Sequence, residues 1–493
     1  MQLELIRTDV SKLDEILPGG LFKGGVYIVH GAPGTGKTIL ANQVCFNHVK
    51  RQGSALYISL LAESHTRMLQ HLSSMKFFDQ RAMPRLYYVS ATPTFAAEGL
   101  NGVVSLVRQE LKRHRPGIMV IDGFSATRER ATTQQEFLRF VHEIQSHAAA
   151  AECATLLLTS GIDPATDPAS TMVDGIVHLN HELFGRRTQR TLQVTKFRGD
   201  GFLPGTHSFQ IDDTGLTIHP RIEARFGSPS KRDRYVLSRL ASGVPGMDEM
   251  LGGGLLRRTT NGLYGPTGIG KTTFGLQYVS LSSASEPGVF FGFFESPERL
   301  RTKAEAIGID LQRLEERGHL EMIWRPQGEQ DLDELGHEIL AAVRRIGATR
   351  VFMDGYAGLQ ESAIEPERLT RYVSSLANEM RALGATLIVT IESRNILGAS
   401  MELPSKGLSS LLEGLVLLRY AEVEGRVRRL ISVTKIRDSE FDPFLREFTV
   451  GARGMEVGGT FTGFEALLSG FGREPQARTN YIAPNDAQPS QRG

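Results

Sequence analysis

Residues 25–38 read GVYIVHGAPGTGKT, an apolar run followed by a glycine-rich loop that ends in lysine and threonine. The loop fits the pattern Gly-x-x-x-x-Gly-Lys-Ser/Thr, and the residues after Thr38 have helical spacing. This order of strand, loop and helix predicts a P-loop, in which main-chain N–H groups and a helix N-terminus surround phosphate groups. Glycine is needed because the main chain must pass close to the phosphates.

The same signature occurs a second time, as GPTGIGKT at residues 265–272, again between an apolar strand and a helical stretch. Lys37 recurs as Lys271 at an offset of 234 residues, and matched positions further along keep offsets of 232 to 239. A nearly constant offset over most of the chain indicates a tandem duplication of a whole domain. We therefore predict domains at 1–225 and 226–471, followed by a disordered tail at 472–493.

Each half alternates apolar strands with amphipathic helices. In the first half the predicted strands are GVYIVH, SALYISL, GIMVID and ATLLLTS, and predicted helices include residues 38–51, 102–114 and 134–150. Continuous apolar strands joined by helices indicate a mostly parallel sheet with helices on both faces. After Val173 the strands follow one another closely, which predicts an antiparallel extension. The fold class is α/β, in two tandem copies.

Composition narrows the class of protein further. The 493 residues carry 56 Lys and Arg against 55 Asp and Glu, so a formal charge of +1 argues against a polybasic nucleic-acid or membrane surface. Two cysteines, Cys45 and Cys153, exclude a disulfide scaffold and a cysteine zinc site, and their apolar neighbours predict buried, inert thiols. With no signal-peptide pattern and no apolar stretch of ~20 residues, a cytoplasmic protein is expected.

The two loops define the expected ATP site. Lys37 and Lys271 are predicted to contact the β- and γ-phosphates, and Thr38 and Thr272 to hold Mg²⁺. The positions expected to bind the nucleotide are Gly31, Gly34, Thr35, Gly36, Lys37, Thr38, Gly265, Thr267, Gly268, Ile269, Gly270, Lys271, Thr272 and Thr273.

Acidic residues at strand ends are the candidates for the metal and for catalysis. Asp122 and Asp354 each end a buried strand, where a carboxylate holds Mg²⁺ in many P-loop proteins. Glu63 and Glu295 follow the second strand of each half and are candidates to orient or deprotonate water. The structural alternatives are a strand-end cap for the aspartates and a helix N-terminal charge for the glutamates.

Over residues 1–470 the chain resembles the KaiC family of RecA-like ATPases. The resemblance is carried by the Asp-Glu-x-Leu-x-Gly-Gly starts, both P-loops, the glutamate corners, and the paired segments TKFRGD and TKIRDS. It implies two tandem RecA-like domains in a homo-oligomeric ring, usually a hexamer, with ATP at subunit interfaces. By resemblance, Lys196 and Arg198, and Lys435 and Arg437, reach the γ-phosphate held by a neighbouring subunit, and Arg429 contacts nucleotide.

The family also autophosphorylates a hydroxyl pair in its second domain, and here that position reads Ser409-Ser410. The resemblance thus implies a serine autokinase, although two serines in a loop are also common turn residues. The sequence departs from the family's usual adjacent glutamate pair, because Ala62-Glu63 and Phe294-Glu295 retain one carboxylate each. A KaiC-like signalling or clock-type switch is therefore expected, rather than a complete oscillator.

Two other functions stay open. One is a scaffold in which ATP joins subunits without hydrolysis, which the missing glutamates favour. The other is a nucleic-acid ATPase, which requires basic loops to bind the phosphate backbone and aromatic side chains to stack on the bases. The candidate loops 161–171 and 393–407 are poor in both, and the only tryptophan, Trp324, is predicted to lie in the core. Expected partners are copies of the chain and signalling or clock-adaptor proteins, with neither membrane nor nucleic acid.

Overall fold

The structure is a computed structural model, and the part of the chain it describes is residues 4–61, 65–161, 164, 166–199, 201–231, 237–393, 404, 407–423 and 425–461. The described residues form two compact units. One runs to Pro229 and includes Glu329–Glu338 and Ser362–Ile364, and the other holds the rest from Ser230 onward. The domain limits 225/226 and 471/472 stay predictions, and the tail 472–493 lies outside the described residues.

The first half of the chain contains eleven strands within the described residues. These are β1 Leu5–Ile6, β2 Leu21–Phe22, β3 Val26–His30, β4 Ala55–Ser59, β5 Leu86–Ser90, β6 Ile118–Asp122, β7 Ala154–Thr159, β8 Gly175–Phe184, β9 Arg187–Phe197, β10 Thr206–Asp212 and β11 Gly215–His219. The α-helices are α1 Leu13–Ile16, α2 Lys37–Lys50, α3 His65–Leu72, α4 Thr92–His114, α5 Ser125–Arg130, α6 Gln134–Ala150 and α7 Ile222–Arg225. Single 3₁₀ turns lie at Gln80–Arg85 and Pro168–Thr171.

The second half repeats this order. Its strands are β12 Arg239–Leu240, β13 Leu255–Leu256, β14 Thr260–Gly265, β15 Gly288–Gly292, β16 Leu320–Trp324, β17 Arg350–Asp354, β18 Thr386–Glu392, β19 Gly414–Val423, β20 Arg426–Ile436, β21 Arg446–Gly451 and β22 Gly454–Thr460. Its α-helices are α8 Met247–Met250, α9 Lys271–Ser280, α10 Pro297–Glu305, α11 Leu311–Glu316, α12 Leu332–Ile346, α13 Tyr356–Ser362, α14 Leu369–Ala382 and α15 Leu408–Leu411, with a 3₁₀ turn at Pro366–Arg368.

Each half builds one nine-stranded sheet with the same strand order. The orders are β11-β10-β9-β8-β3-β7-β6-β4-β5 and β22-β21-β20-β19-β14-β18-β17-β15-β16. The six strands from β8 to β5, and from β19 to β16, run parallel, and the other three in each sheet continue antiparallel. The register slips at matched places, Ile176/Val177 and Leu415/Val416. The predicted tandem RecA-like α/β fold is confirmed.

Alternate residues of the central strands face opposite layers of helices. Tyr27 and Val29 of β3 join a buried cluster with α2 and α3, whereas Val26 and Ile28 join a second cluster with α4 and α6. Both faces of the sheet are therefore apolar, which explains the continuous apolar runs in the sequence. The loops at the carboxyl ends of the strands remain available for a site.

Three smaller predictions have mixed outcomes. Cys45 and Cys153 are buried as predicted, and burial raises the pKa of the Cys45 thiol to about 12. Residues 102–114 are helical as predicted, and they form the second part of α4, which begins at Thr92 and is interrupted by non-helical main-chain torsions at Gly99 (φ 63°, ψ −147°). The prediction that Trp324 lies in the core is wrong. Trp324 is the last residue of the edge strand β16 and is 39% exposed. Among the described helices none is long and apolar enough to cross a membrane.

Candidate active sites at the strand ends

The P-loops follow the central strands β3 and β14, and their shape depends on glycine. Gly36 and Gly270 stand directly before α2 and α9 with φ of 104° and 124°, a region that L-residues rarely adopt. A Cβ on Gly31 would lie 2.4 Å from a main-chain oxygen of β8, and one on Gly265 would lie 2.7 Å from the matching oxygen of β19. The glycines of the pattern are thus required by positive φ angles at some positions and by close contact with a neighbouring strand at others. The remaining predicted positions lie along the same loops and first helical turns, namely Gly34, Thr35, Thr38, Thr267, Gly268, Ile269, Thr272 and Thr273.

The P-loop lysines fold back over the loops in the same way in both halves. Lys37 Nζ donates hydrogen bonds to the carbonyl oxygens of Gly31 and Ala32, at 2.6 and 2.9 Å. Lys271 Nζ makes the two matching bonds, at 2.8 and 2.9 Å. Burial lowers the pKa of both ammonium groups, although nearby acidic residues oppose the shift. A cation is therefore held at the mouth of each loop.

In the second half, a threonine hydroxyl and a buried carboxylate meet beside the loop. Thr272 Oγ1 donates to Asp354 Oδ2 at 2.8 Å, and Thr390 Oγ1 from β18 donates to Asp354 Oδ1 at 2.8 Å. Burial raises the pKa of Asp354, and these hydrogen bonds oppose that shift. Hydroxyl and carboxylate oxygens are the donor set that Mg²⁺ takes. The residues present therefore fit a magnesium ion.

The first half holds its aspartate with a different partner. Asp122 ends β6 and accepts a hydrogen bond from the hydroxyl of buried Tyr57, at 2.6 Å. Burial raises the pKa of Asp122, while hydrogen bonds from Tyr57 and Thr38 lower it. Tyr57 and Thr390 were not predicted from the sequence as partners of the two aspartates. Both lie in apolar strands, where a single polar residue carries no motif.

Of the two candidate catalytic bases, Glu63 and Glu295, the structure describes Glu295. Glu63 lies outside the described residues. Glu295 follows β15 at the entrance to α10 and forms an ion pair with Lys303. The Glu295 charge also contributes to raising the pKa of Asp354, so the two carboxylates lie within electrostatic range. Glu295 is thus at the expected corner, and a lysine holds it.

A further carboxylate, which was not predicted from the sequence, borders the second P-loop. Glu392 is the last residue of β18, and Thr267 Oγ1 donates to its Oε1 at 3.3 Å. Its charge opposes the lowering of the Lys271 pKa by burial. Glu392 could have been recognised because it ends the strand that lies next to the P-loop strand. That inference requires knowing that β18 is the neighbour of β14 in the sheet. Among the described residues, the acidic groups at the second site are Glu295, Asp354 and Glu392.

The Lys-x-Arg segments lie at the end of β9 and of β20, just after the register slips. Lys196 and Arg198 donate to main-chain carbonyls of the 3₁₀ turn Pro168–Thr171. Lys435 and Arg437 donate to the carbonyls of Ser409 and Ser410 in α15, at 2.7 and 2.6 Å. All four cations are thus ordered by contacts within their own half.

These cations lie at the far end of the sheet from their own P-loop. Asn261 of β14 is level with Gly414 of β19, which pairs with Ile436 of β20 beside Lys435. The P-loop leaves β14 at Gly265, four residues further along, or ~13 Å at the rise of a strand. The strand pairing in the first half is the same. A cation of this segment therefore cannot reach phosphates on its own P-loop.

Arg429 occupies the opposite, P-loop end of β20. It pairs with Tyr420, and its guanidinium lies over the Tyr420 ring with 5.9 Å to the centroid. Tyr420 is two residues beyond Leu418, whose carbonyl approaches Gly265. The matching residue of the first half is Arg190 on β9, at the offset of 239 that also relates the Lys-x-Arg segments. Arg190 was not predicted from the sequence, although the offset of 239 residues relates it to Arg429.

The predicted phosphoacceptors lie at the same end as the Lys-x-Arg cations. Ser409 and Ser410 are both exposed, in the short helix α15. Ser410 Oγ donates to the Gly407 carbonyl at 2.6 Å. These hydroxyls are consequently remote from the P-loop of their own domain.

Comparisons with known proteins agree with this architecture. The family model described as "ATPase: KaiC" matches residues 6–223 and again residues 240–460. The chain is 24% identical over 486 residues to a circadian clock oscillator protein KaiC of Picosynechococcus sp., covering 95% of this chain and 92% of that protein. Proteins of the same name from Acaryochloris marina and Synechococcus elongatus are also 24% identical, over 95% and 94% of this chain and 91% of each relative.

Proposed function

Because the chain belongs to the KaiC ATPase family, we propose that both halves bind Mg-ATP and hydrolyse it at the interfaces of a homo-oligomeric ring. A hexamer is the expected size. The observation that carries the proposal is the ~13 Å between each Lys-x-Arg segment and its own P-loop. Cations that cannot reach their own nucleotide are explained if they serve the nucleotide of a neighbouring copy.

The P-loop side of each interface binds and orients the nucleotide. Lys37 and Lys271 would exchange loop carbonyls for phosphate oxygens, and main-chain N–H groups of the loops would complete the cradle. Thr38 with Asp122, and Thr272 with Asp354, would hold Mg²⁺. When bound, the metal ion neutralises charge on the phosphates. The residue proposed to contact the nucleotide further out on the second site is Arg429.

The neighbouring side supplies positive charge where negative charge develops. Lys196 and Arg198 would stabilise the transition state in the first ring, and Lys435 and Arg437 in the second. Water would be oriented by the glutamate at each corner, Glu63 or Glu295. In the second site Glu295 must leave Lys303 or act while paired with it, which is consistent with slow turnover.

The second ring is also proposed to phosphorylate itself. Ser409 and Ser410 are exposed at the end of the domain that carries Lys435 and Arg437. If those cations meet a neighbour's γ-phosphate, the two hydroxyls arrive there with them. The phosphoryl state would then alter the ring and the binding of signalling or clock-adaptor partners, as expected for a switch protein.

Phosphate release from Mg-ATP tests the enzymatic part. The wild-type chain is compared with the double variant Lys37→Ala/Lys271→Ala, with light scattering to report assembly with and without Mg-ATP. We expect turnover in the wild type and none in the double variant. Turnover no higher in the wild type than in the double variant would refute hydrolysis. Phosphopeptide mapping after incubation tests the autokinase, which requires phosphate on Ser409 or Ser410.

One observation favours a second candidate, a ring that binds ATP without hydrolysing it. The single described corner glutamate, Glu295, is engaged by Lys303 rather than directed freely at the loop. In that case ATP would act as an adhesive between subunits and partners would recognise the assembled ring. Assembly that depends on ATP, together with phosphate release at the level of the double lysine variant, would establish this candidate instead.

A further inference from the structure

The first half contains a hydroxyl pair at the position that Ser409-Ser410 occupies in the second. This pair is Ser170-Thr171, and it precedes Ser409-Ser410 by 239 residues. The same offset relates the two Lys-x-Arg segments, so the match holds across the whole local structure rather than for the pair alone. Neither the family match nor the relatives' names assigns a role to these two residues.

The Lys-x-Arg cations hold both pairs by the same main-chain atoms. Lys196 Nζ donates to the Ser170 carbonyl at 2.6 Å, and Arg198 donates to the Thr171 carbonyl. The corresponding bonds in the second half run from Lys435 and Arg437 to the two serine carbonyls. Each lysine binds the first residue of the pair and each arginine binds the second, and Lys196 also donates to the Thr171 carbonyl at 3.1 Å. The cations and hydroxyls are therefore presented together in both halves.

The side chains of the second residues also match. Thr171 Oγ1 donates to the Pro168 carbonyl at 2.8 Å, three residues earlier, as Ser410 Oγ does to Gly407 at 2.6 Å. Thr171 is exposed, whereas Ser170 Oγ is buried and has no hydrogen-bond partner among the described residues. Of the first pair, Thr171 is the hydroxyl that another molecule can reach.

An acidic residue three positions after each pair anchors it to the central strand. Asp174 Oδ2 accepts from the N–H of Val26 at 2.9 Å, and Glu413 Oε2 accepts from the N–H of Thr260 at 2.6 Å. Val26 and Thr260 are the first residues of β3 and β14. Both acidic residues thus bind the first residue of the P-loop strand, at the end opposite the P-loop.

We infer that Thr171 is a phosphoacceptor, phosphorylated from ATP bound to the first P-loop of a neighbouring copy. This inference rests on the proposed ring and extends self-phosphorylation to the first domain. Thr171 Oγ1 would form a bond to the γ-phosphorus while the bond from that phosphorus to the β,γ-bridging oxygen breaks. ADP leaves with that oxygen and its electron pair, and the hydroxyl proton passes to water.

The product would lie beside two cations that are already in place. Lys196 and Arg198 already bind the main-chain carbonyls of Ser170 and Thr171, so they lie close to a phosphoryl group on Thr171. Both cations bind phosphate oxygens more strongly than neutral carbonyls. Those cations would then be less available to a neighbour's γ-phosphate. Phosphorylation of Thr171 is therefore expected to slow hydrolysis in the first ring.

Site-resolved phosphopeptide mapping after incubation of the full chain with Mg-ATP tests the inference. We expect phosphate on Thr171 in the wild type and in Thr171→Ser, and its loss in Thr171→Val, which keeps the side-chain shape. The matched control is Thr188→Val, at an exposed threonine on β9, and it should retain the phosphate on Thr171. Lys37→Ala should abolish the modification of Thr171.

The outcomes separate this inference from the proposed function. An unmodified Thr171 in wild-type samples that release phosphate overturns the inference, whereas hydrolysis and any phosphate on Ser409 or Ser410 then stand. Phosphate on Thr171 that survives Lys37→Ala also overturns it, because the donor would not be the first P-loop. A Thr171 phosphopeptide that disappears in Lys37→Ala and Thr171→Val, and persists in Thr188→Val, supports it.

Discussion

Mixing two inactive variants should restore activity if the Lys-x-Arg cations act on a neighbour. One variant carries Lys37→Ala and Lys271→Ala and lacks functional P-loops. The other carries Arg198→Gln and Arg437→Gln, which remove the charge while leaving an N–H donor for the main-chain carbonyls that each arginine now binds. Each variant alone should lose about a thousandfold in turnover, as removal of an arginine at the γ-phosphate does elsewhere.

The magnitude follows from the geometry of the sheet. The middle of each Lys-x-Arg segment lies ~13 Å along the strands from its own P-loop, so in the proposed ring no subunit would complete its own site. The interface of such a ring is heterologous, so each site would take its P-loop from one copy and its cations from the next. With equal amounts and random assembly, half of the P-loops and half of the arginines are intact. Roughly one quarter of the interfaces then have both.

The assay is phosphate release after the two variants are mixed, dissociated by nucleotide removal and reassembled with Mg-ATP. We expect roughly a quarter of the wild-type rate, against almost none for either variant alone. Circular dichroism and light scattering on each variant control for folding and assembly. A mixture as inactive as its components, although an affinity-tagged copy of one variant co-purifies the untagged other and so shows mixed rings, would refute the reasoning that the cations act between subunits.

Three further predictions concern the second site. Gly270→Ala places a Cβ at φ of 124° and should cost ~1–2 kcal/mol of unfolding free energy in urea, whereas Gly451→Ala, with open space around it, should change little. Burial raises the pKa of Asp354, so its contribution to nucleotide-free stability is present at low pH and is lost as pH rises through that pKa. Asp354→Asn should remove this pH dependence in thermal melts and abolish Mg-ATP stabilisation; unchanged stabilisation would contradict its metal role. Glu295→Gln should lower turnover about a hundredfold in a Lys37→Ala background, and an unchanged rate would exclude it as the base.

Local sequence patterns predicted much of the fold because they reflect local causes. The glycines of GAPGTGKT report torsion angles and close approaches within one loop, so Gly36 could be recognised without the structure. Apolar runs predicted the central strands because those strands are buried on both faces. Trp324 was wrongly predicted to be buried because a run of apolar residues does not indicate which strand lies at the edge of the sheet.

The partners of the site residues could not be predicted in this way. Tyr57, Thr390 and Glu392 approach the P-loop aspartates and loops from other strands, and only the order of those strands brings them there. Ser170-Thr171 belongs to the loop 161–171, and no motif distinguishes this pair from other polar residues in a loop. Its match with Ser409-Ser410 became meaningful only through the contacts with the Lys-x-Arg cations.

The sequence by itself determined that the chain holds two copies of one nucleotide-binding domain, because P-loop torsion, strand burial and the repeat offset are all written along the chain. Only the tertiary structure decided which end of each sheet carries which charge. Parallel strands gather the P-loop and its carboxylates at their carboxyl ends, whereas the antiparallel return of β9 and β20 carries the Lys-x-Arg cations back to the other end. That separation is a property of strand direction, which no single segment of sequence contains.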